Sequence, residues 1–231
     1  MTTSTSHSKT NRRSVRVLLV DDHDIVRHGY AHLLGTDPGF EICGEAADAP
    51  EAMRLVFETR PDLAIIDISL QNGHGLELCK EIRAWSEQGN GIIKMLVVTA
   101  FDEDMYAERA LHAGASGFLN KGETAKRLLD AMHSVMDGKI YLTQSITDRI
   151  LTRLISGHYD ETQSPLENLS DRELEVFELI GKGMTTREVA DSLNLSPKTV
   201  ETYRESIKLK LNLGNANQLV CAAVHHLLET S

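Results

Sequence analysis

The sequence predicts an α/β fold, a five-stranded doubly wound parallel sheet, followed by a small all-α helix-turn-helix domain. Three observations carry this expectation. Short apolar runs alternate strictly with stretches of helical period between residues 15 and 136. Polar residues of one chemical set follow most of those runs, and three helix-start signals crowd together after Leu169.

Strands are expected at 15–20, 40–44, 63–66, 92–98 and 117–119, and helices at about 24–35, 48–58, 75–86, 103–113 and 123–136. Such alternation implies parallel strands covered on both faces, because each crossover lays a helix on the sheet. A sheet of this kind binds its ligand at the carboxyl ends of its strands. The first strand runs into Asp21 and Asp22, the third into Asp67, the fourth into Thr99, and the fifth is followed by Lys121. A single aspartate after a strand is usually a turn or cap residue. Three carboxylates, a hydroxyl and an amine at one sheet edge are instead a chemical set. The carboxylates suit a hard divalent cation, foremost Mg2+, whose charge also invites a phosphoryl group. Lys121 and Thr99 could meet the phosphoryl oxygens, and one carboxylate could be the nucleophile that forms an aspartyl phosphate.

The rest of the chain adds limits. At 231 residues, 41% of them hydrophobic, two domains are expected, and no apolar run approaches the length of a membrane span. No membrane partner and a cytoplasmic location follow as expectations, since "MTTSTSHSKTNRRS" has no apolar signal core. Cys43, Cys79 and Cys221 lie far apart and predict neither a disulfide framework nor a zinc site, and His225 and His226 lack a second ligand pair. The net charge of −10 excludes a generally basic nucleic-acid binder: residues 14–135 carry 11 basic against 20 acidic groups, and residues 166–231 carry 7 against 10. Segment 182–210 is locally basic, with Lys182, Arg187, Lys198, Arg204, Lys208 and Lys210 against four acids.

Domain boundaries are expected at 1–13 for a disordered tail, 14–136 for the sheet domain, 137–165 for a linker with a short helix around Ile150, Leu151, Leu154 and Ile155, and 166–231 for the helical domain. The stretch from Gly157 to Pro165 reads as a flexible tether. In the helical domain Ser170 with Glu173, and Thr185 with Glu188, read as capping boxes, the first reinforced by Leu169 and Leu174 as a hydrophobic staple. Ser196 and Pro197 start a third helix with an apolar stripe of Val200, Tyr203, Ile207 and Leu211. The short "NLSP" connection makes a helix-turn-helix arrangement. Phosphate contacts would come from the basic residues and from Thr186, Ser196 and Thr199 at helix starts; Lys198, Glu201, Thr202 and Glu205 would face the bases.

Residues 14–136 resemble the receiver domain of two-component response regulators, a flavodoxin-like fold. The likeness rests on Asp21 and Asp22, Asp67, Thr99, Lys121 and the stretches "VVTAFDE" and "GASGFLNK". It implies phosphoryl transfer from a sensor histidine kinase to Asp67, Mg2+ held by Asp21, Asp22, Asp67 and the Ser69 backbone, and a switch in which Thr99 moves inward and Phe118 goes from exposed to buried. Residues 166–229 resemble the LuxR-type DNA-binding domain through "LSDRELEVFELIGKGMTTREVADSLNLSPKTVETYRESIKLKL". Together the two imply a NarL/FixJ-class regulator that binds double-stranded promoter DNA as a homodimer, with RNA polymerase as a further candidate partner and no enzymatic activity beyond its own phosphoryl transfer and dephosphorylation. The last helix is expected to pair two copies through exposed Leu219, Val220, Ala223 and Leu227. Two departures stand out. Leu70, Gln71 and His74 replace the family's Met-Pro and the Asp before Gly75, and Asp24 stands where relatives have proline and is expected to cap the first helix and affect kinase docking. Two rival readings are a phosphoaspartate hydrolase, which would need an acid where Ser69 stands, and a degenerate receiver, against which Asp21, Asp22, Asp67, Thr99 and Lys121 are all intact.

Overall fold

The computed structural model describes residues 13–156 and 165–230, so the N-terminal tail and the expected tether at 157–164 lie outside the described residues. Five strands, β1 (Val15–Val20), β2 (Phe40–Ala46), β3 (Leu63–Ile66), β4 (Lys94–Thr99) and β5 (Gly117–Asn120), form one sheet in the order β2-β1-β3-β4-β5. Every neighbouring pair is parallel. Helices α1 (Asp24–Leu34), α2 (Ala49–Thr59), α3 (Gly75–Trp85), α4 (Glu103–Ala113) and α5 (Ala125–Met136) connect and follow the strands.

Period-two alternation sends successive side chains of β1 to opposite layers. Val17 and Leu19 join Leu34 of α1 and Leu128 and Met132 of α5, while Leu18 and Val20 join α2, α3 and α4. The central strands are therefore buried on both faces, which is why they read as continuous apolar runs.

Three local expectations shift. β4 starts at Lys94, because Trp85 leads into a π-turn, Ser86–Asn90, whose exit at Gly91 (φ 108°) leaves Ile92 81% exposed outside the sheet. α2 starts at Ala49, since the Asp48 carboxylate caps it by accepting from the Glu51 amide. Asp24 does not cap α1: His23 holds that position without a side-chain bond, and Asp24 pairs with Arg27 one turn along.

After β5, α6 (Gln144–Ser156) buries Ile146 and packs on α4, while Ile155 stays 85% exposed. A 3-10 turn, Pro165–Asn168, leads to α7 (Asp171–Gly181), α8 (Thr186–Ser192), α9 (Pro197–Lys210) and α10 (Ala216–Thr230). Both expected capping boxes are formed, at Ser170 with Glu173 and at Thr185 with Glu188, and the Ser196 side chain accepts from the Thr199 amide. Val200 and Ile207 are fully buried and Tyr203 and Leu211 pack beside them, so α9 turns its other face outward. α7 and α10 approach closely at Gly181, where a Cβ would come within 2.6 Å of the Ala223 carbonyl. Among the described residues no helix is long and apolar enough to cross a membrane.

Candidate functional site

The carboxyl ends of β1, β3, β4 and β5 converge on one acidic pocket. Asp21 and Asp67 are each 3% exposed. The Lys121 ammonium donates to both, at 2.7 Å from Asp21 Oδ2 and 2.6 Å from Asp67 Oδ2. It therefore joins two carboxylates that would otherwise repel. Burial pushes the Asp67 carboxyl above its ordinary value against the pull of Lys121 and the Thr99 hydroxyl. The Lys121 ammonium is held above its own usual range; burial opposes its charge, but Asp67 and Asp21 outweigh it.

Backbone contacts fix this edge. The Asp67 amide donates to Val20 O (2.8 Å), the Lys121 amide to Thr99 O (2.7 Å) and the His23 amide to Asp21 Oδ1 (2.9 Å). Gly75 is required by a close approach: a Cβ there would lie 2.0 Å from the Asp67 carbonyl oxygen. Its amide closes the loop on Ile68 O (2.8 Å), which brings His74 and Ser69 into a bridge beside the pocket.

The donor set fits a divalent cation. Ligand atoms of Asp21, Asp22, His23 and Asp67 lie within 4.8 Å of one another. Three carboxylates at this spacing favour a hard ion of the Mg2+ kind. His23 is an addition, with Nδ1 2.6 Å from Asp22 Oδ1.

Thr99 is fully buried and its Oγ1 accepts from the Phe101 amide at 3.4 Å. Phe118 is 0% exposed, in the same core as Tyr106, Ala107 and Ile146. The expected exposed position of Phe118 in the unphosphorylated chain is thus not the one observed. Among its surroundings, Tyr141 of the segment leading to α6 accepts the Phe118 amide bond (2.9 Å) and lays chain over β5.

The helical domain docks on the loop that follows Asp67. The Ser69 hydroxyl donates to Glu175 Oε1 (2.8 Å), and Arg172 donates both to Glu175 Oε2 and to the Gly73 carbonyl. Asp171 accepts from Arg109 (2.9 Å) and Lys80 (3.1 Å), and Arg109 also donates to the carbonyls of Leu169 and Leu166 (2.9 and 3.0 Å). Lys182, expected to meet DNA, is exposed and lies over the Phe101 ring, 5.1 Å from its centroid. Sequence reasoning missed Asp171, Arg172, Glu175, Glu178 and Arg109 as functional residues. One signal was available: Leu174, Val176, Phe177, Leu179 and Ile180 exceed a single apolar stripe, as expected of a helix covered on more than one side.

The other expected DNA-facing residues are spread over one surface. Lys198, Glu201, Thr202 and Glu205 are exposed on α9, with Arg187 and Ser196 exposed and Thr186, Thr199, Arg204 and Lys208 partly so. Glu205 pairs with Lys208 (2.8 Å), and Glu201 accepts from the Thr186 hydroxyl (2.7 Å) with Arg204 3.9 Å away. Each acid is thus offset by a neighbour. On α10 the expected exposed face is corrected. Leu219 and Ala223 are 0% and 1% exposed because they form the seam with α7, whereas Val220 and Val224 point outward and Leu227 is half-buried.

Comparison with known proteins agrees with this layout. Residues 17–133 match the family described as "Response regulator receiver domain", and residues 167–223 match "Bacterial regulatory proteins, luxR family". The response regulator UvrY of Escherichia coli (strain K12) is 32% identical over 212 residues, covering 92% of this chain and 94% of that protein. The transcriptional regulatory protein LiaR of Bacillus subtilis (strain 168) is 35% identical over 216 residues, covering 93% and 99%. A crystal structure of a LuxR-family two-component response regulator from Aurantimonas sp. SI85-9A1 is 34% identical with a TM-score of 0.55, covering 62% of this chain and 99% of that one. RcsB of Salmonella enterica serovar Typhimurium, in a structure bound to promoter rprA, shares the fold at 23% identity and a TM-score of 0.59, covering 90% and 97%.

Proposed function

Because this chain belongs to the response regulators that join a receiver domain to a LuxR-type DNA-binding domain, we propose that Asp67 accepts a phosphoryl group from a sensor histidine kinase and thereby controls promoter binding by α9. One observation carries the assignment: of the two acids that Lys121 joins at the sheet edge, Asp67 is the one that closes the central strand.

In the transfer, an Asp67 carboxylate oxygen attacks phosphorus, the phosphorus–nitrogen bond of the kinase phosphohistidine breaks, and the imidazole leaves with the electron pair. Lys121 holds the carboxylate in place and meets a phosphoryl oxygen, and Thr99 supplies a hydroxyl to another. Asp21, Asp22, Asp67 and the Ser69 backbone would hold Mg2+, which when bound neutralises phosphoryl and carboxylate charge. Burial of Asp67 and Asp21 excludes competing water. No chemistry beyond this transfer and the later hydrolysis is assigned. We take 14–136 as the receiver, 137–165 as the linker and 166–231 as the DNA-binding domain.

The DNA contacts would come from Arg187, Lys198, Arg204, Lys208 and the helix starts at Thr186, Ser196 and Thr199, with Lys198, Glu201, Thr202 and Glu205 toward the bases. A homodimer through Val220 and Leu227 of α10 would set the half-site spacing. The test incubates wild type and Asp67→Asn with acetyl phosphate and Mg2+, followed by intact mass and a DNA mobility shift. Wild type gains one phosphoryl mass and binds more tightly; Asp67→Asn does neither. A wild type that gains no mass, or that binds DNA equally with and without the phosphoryl group, refutes the proposal.

A further inference from the structure

We propose that Glu175, a residue of the DNA-binding domain, is the group through which that domain senses the charge on Asp67 directly. The inference rests on the phosphoacceptor reading above. Its physical basis is a latch between loop 69–74 and the first half of α7. Glu175 is 0% exposed, wholly enclosed between the two domains. Its two oxygens are taken by donors from both sides, the Ser69 hydroxyl and the Arg172 guanidinium, and Arg172 in turn grips the Gly73 carbonyl. Ser69 stands two residues beyond Asp67, so the enclosed carboxylate abuts the loop that must accommodate a phosphoryl group.

Burial, together with Asp67, pushes the Glu175 carboxyl above its ordinary value, and the Arg172 guanidinium and Ser69 hydroxyl hold its charge against this. His74 lies 3% exposed with Nε2 3.8 Å from Glu175 Oε2. Its Nδ1 accepts from the Leu76 amide (3.2 Å), so the proton of the neutral ring sits on Nε2, which is buried beside the carboxylate without a hydrogen bond to it. An acid at position 74 would place two carboxylates within the same enclosure.

Phosphorylation replaces the Asp67 carboxylate by an acyl phosphate of roughly −2 charge, a net gain of about one negative charge, which in this low-dielectric setting acts on Glu175 far more strongly than in water. The closed arrangement then loses free energy and the domains part. The aromatic at β5 is no obstacle, since Phe118 is already buried while the latch is shut. Opening would release α7 and Lys182 rather than uncover the α9 reading face, which is exposed throughout.

The experiment uses the full chain. Trp85 is the sole tryptophan and Cys221 is exposed on α10, so energy transfer from Trp85 to an acceptor on Cys221, in a Cys43→Ser background, reports opening. Phosphorylation is followed by mass with acetyl phosphate, and opening is titrated with beryllofluoride and Mg2+. Wild type loses transfer as beryllofluoride binds. Glu175→Gln keeps the shape of the latch without its charge, so it binds beryllofluoride about tenfold more tightly yet opens less. A residue that merely braces the interface would do the reverse, opening more. His74→Asp opens before any beryllofluoride is added, which tests the charge argument without altering Glu175. Failure of wild type to gain phosphoryl mass overturns the phosphoacceptor reading itself. Normal phosphorylation with Glu175→Gln opening as wild type does, or binding beryllofluoride no more tightly, overturns the sensor alone.

Discussion

Removing the Arg109 guanidinium should open the two domains without touching the phosphorylation site. Its fork makes three short bonds across the interface, to Asp171 at 2.9 Å, to Leu169 O at 2.9 Å and to Leu166 O at 3.0 Å, and a longer one to Glu167 O at 3.5 Å. A hydrogen bond to a charged group contributes about 1.5–3 kcal/mol when it is kept from water. The Arg109 side chain is 20% exposed, so water can satisfy part of what is lost, and Lys80 still holds Asp171. Taking the low end for two of the three short bonds, Arg109→Ala costs the closed state about 3 kcal/mol, a shift of roughly 150-fold toward open. Energy transfer from Trp85 to an acceptor on Cys221 should fall in the unphosphorylated chain, while melting of each domain stays near its wild-type temperature. Arg109→Lys keeps the charge but can reach only one of these acceptors, and should recover a minor part of the closure. Unchanged transfer in Arg109→Ala, or complete recovery in Arg109→Lys, would refute the view that the planar fork holds the domains together.

Four further predictions concern single groups. Glu178 is 5% exposed at the domain interface, and burial pushes its carboxyl up to about 8, against Lys182 and together with Asp102 and Glu175. Its closed-state value lies above the free one, so closure takes up a proton: closure is most favoured below the free carboxyl value near 4.5 and weakens as pH rises to about 8. Glu178→Gln should flatten that pH dependence of energy transfer; an unchanged slope would exclude Glu178 as its source. Gly75→Ala places a methyl group 2.0 Å from the Asp67 carbonyl, so thermal unfolding should show a loss of about 3 kcal/mol and acetyl phosphate should label Asp67 poorly. Leu219→Ala should cost about 3 kcal/mol of stability as a core cavity, whereas Val220→Asp should leave the melting temperature unchanged and weaken self-association in sedimentation.

The sheet edge was readable in advance because a parallel strand buried on both faces is a continuous apolar run, and whatever polar residue follows it must emerge at the same end. Asp21, Asp67, Thr99 and Lys121 needed no other information. The capping boxes at Ser170 and Thr185 were equally plain, since a cap is a contact between residues three apart. Asp24 misled for the same local reason: an acid at a helix start can cap or can be the first helical residue, and the Arg27 guanidinium one turn on decided for the latter. Leu219 and Ala223 misled because the periodicity of α10 marks an apolar face without saying whether α7 or a second copy covers it.

By itself, the sequence determined two independent units and the chemistry of each. It placed a carboxylate cluster on the first and an outward-facing third helix on the second. Only the tertiary structure decided how they meet. The partners in the latch are separated by 106 residues for Ser69 and Glu175 and by 62 for Arg109 and Asp171. No periodicity or spacing encodes such a pairing. A glutamate on an amphipathic helix reads as solvent-facing until a second surface encloses it, and on α7 three acids are buried by three different surfaces: Glu173 by α9, Glu175 by the loop beside Asp67, and Glu178 beside Asp102 and Asn120. Glu173 is held down at about 2 despite burial by Lys210, Ser206 and Ser170, Glu178 is driven upward for want of a donor as close, and Glu175 is shared between the two domains.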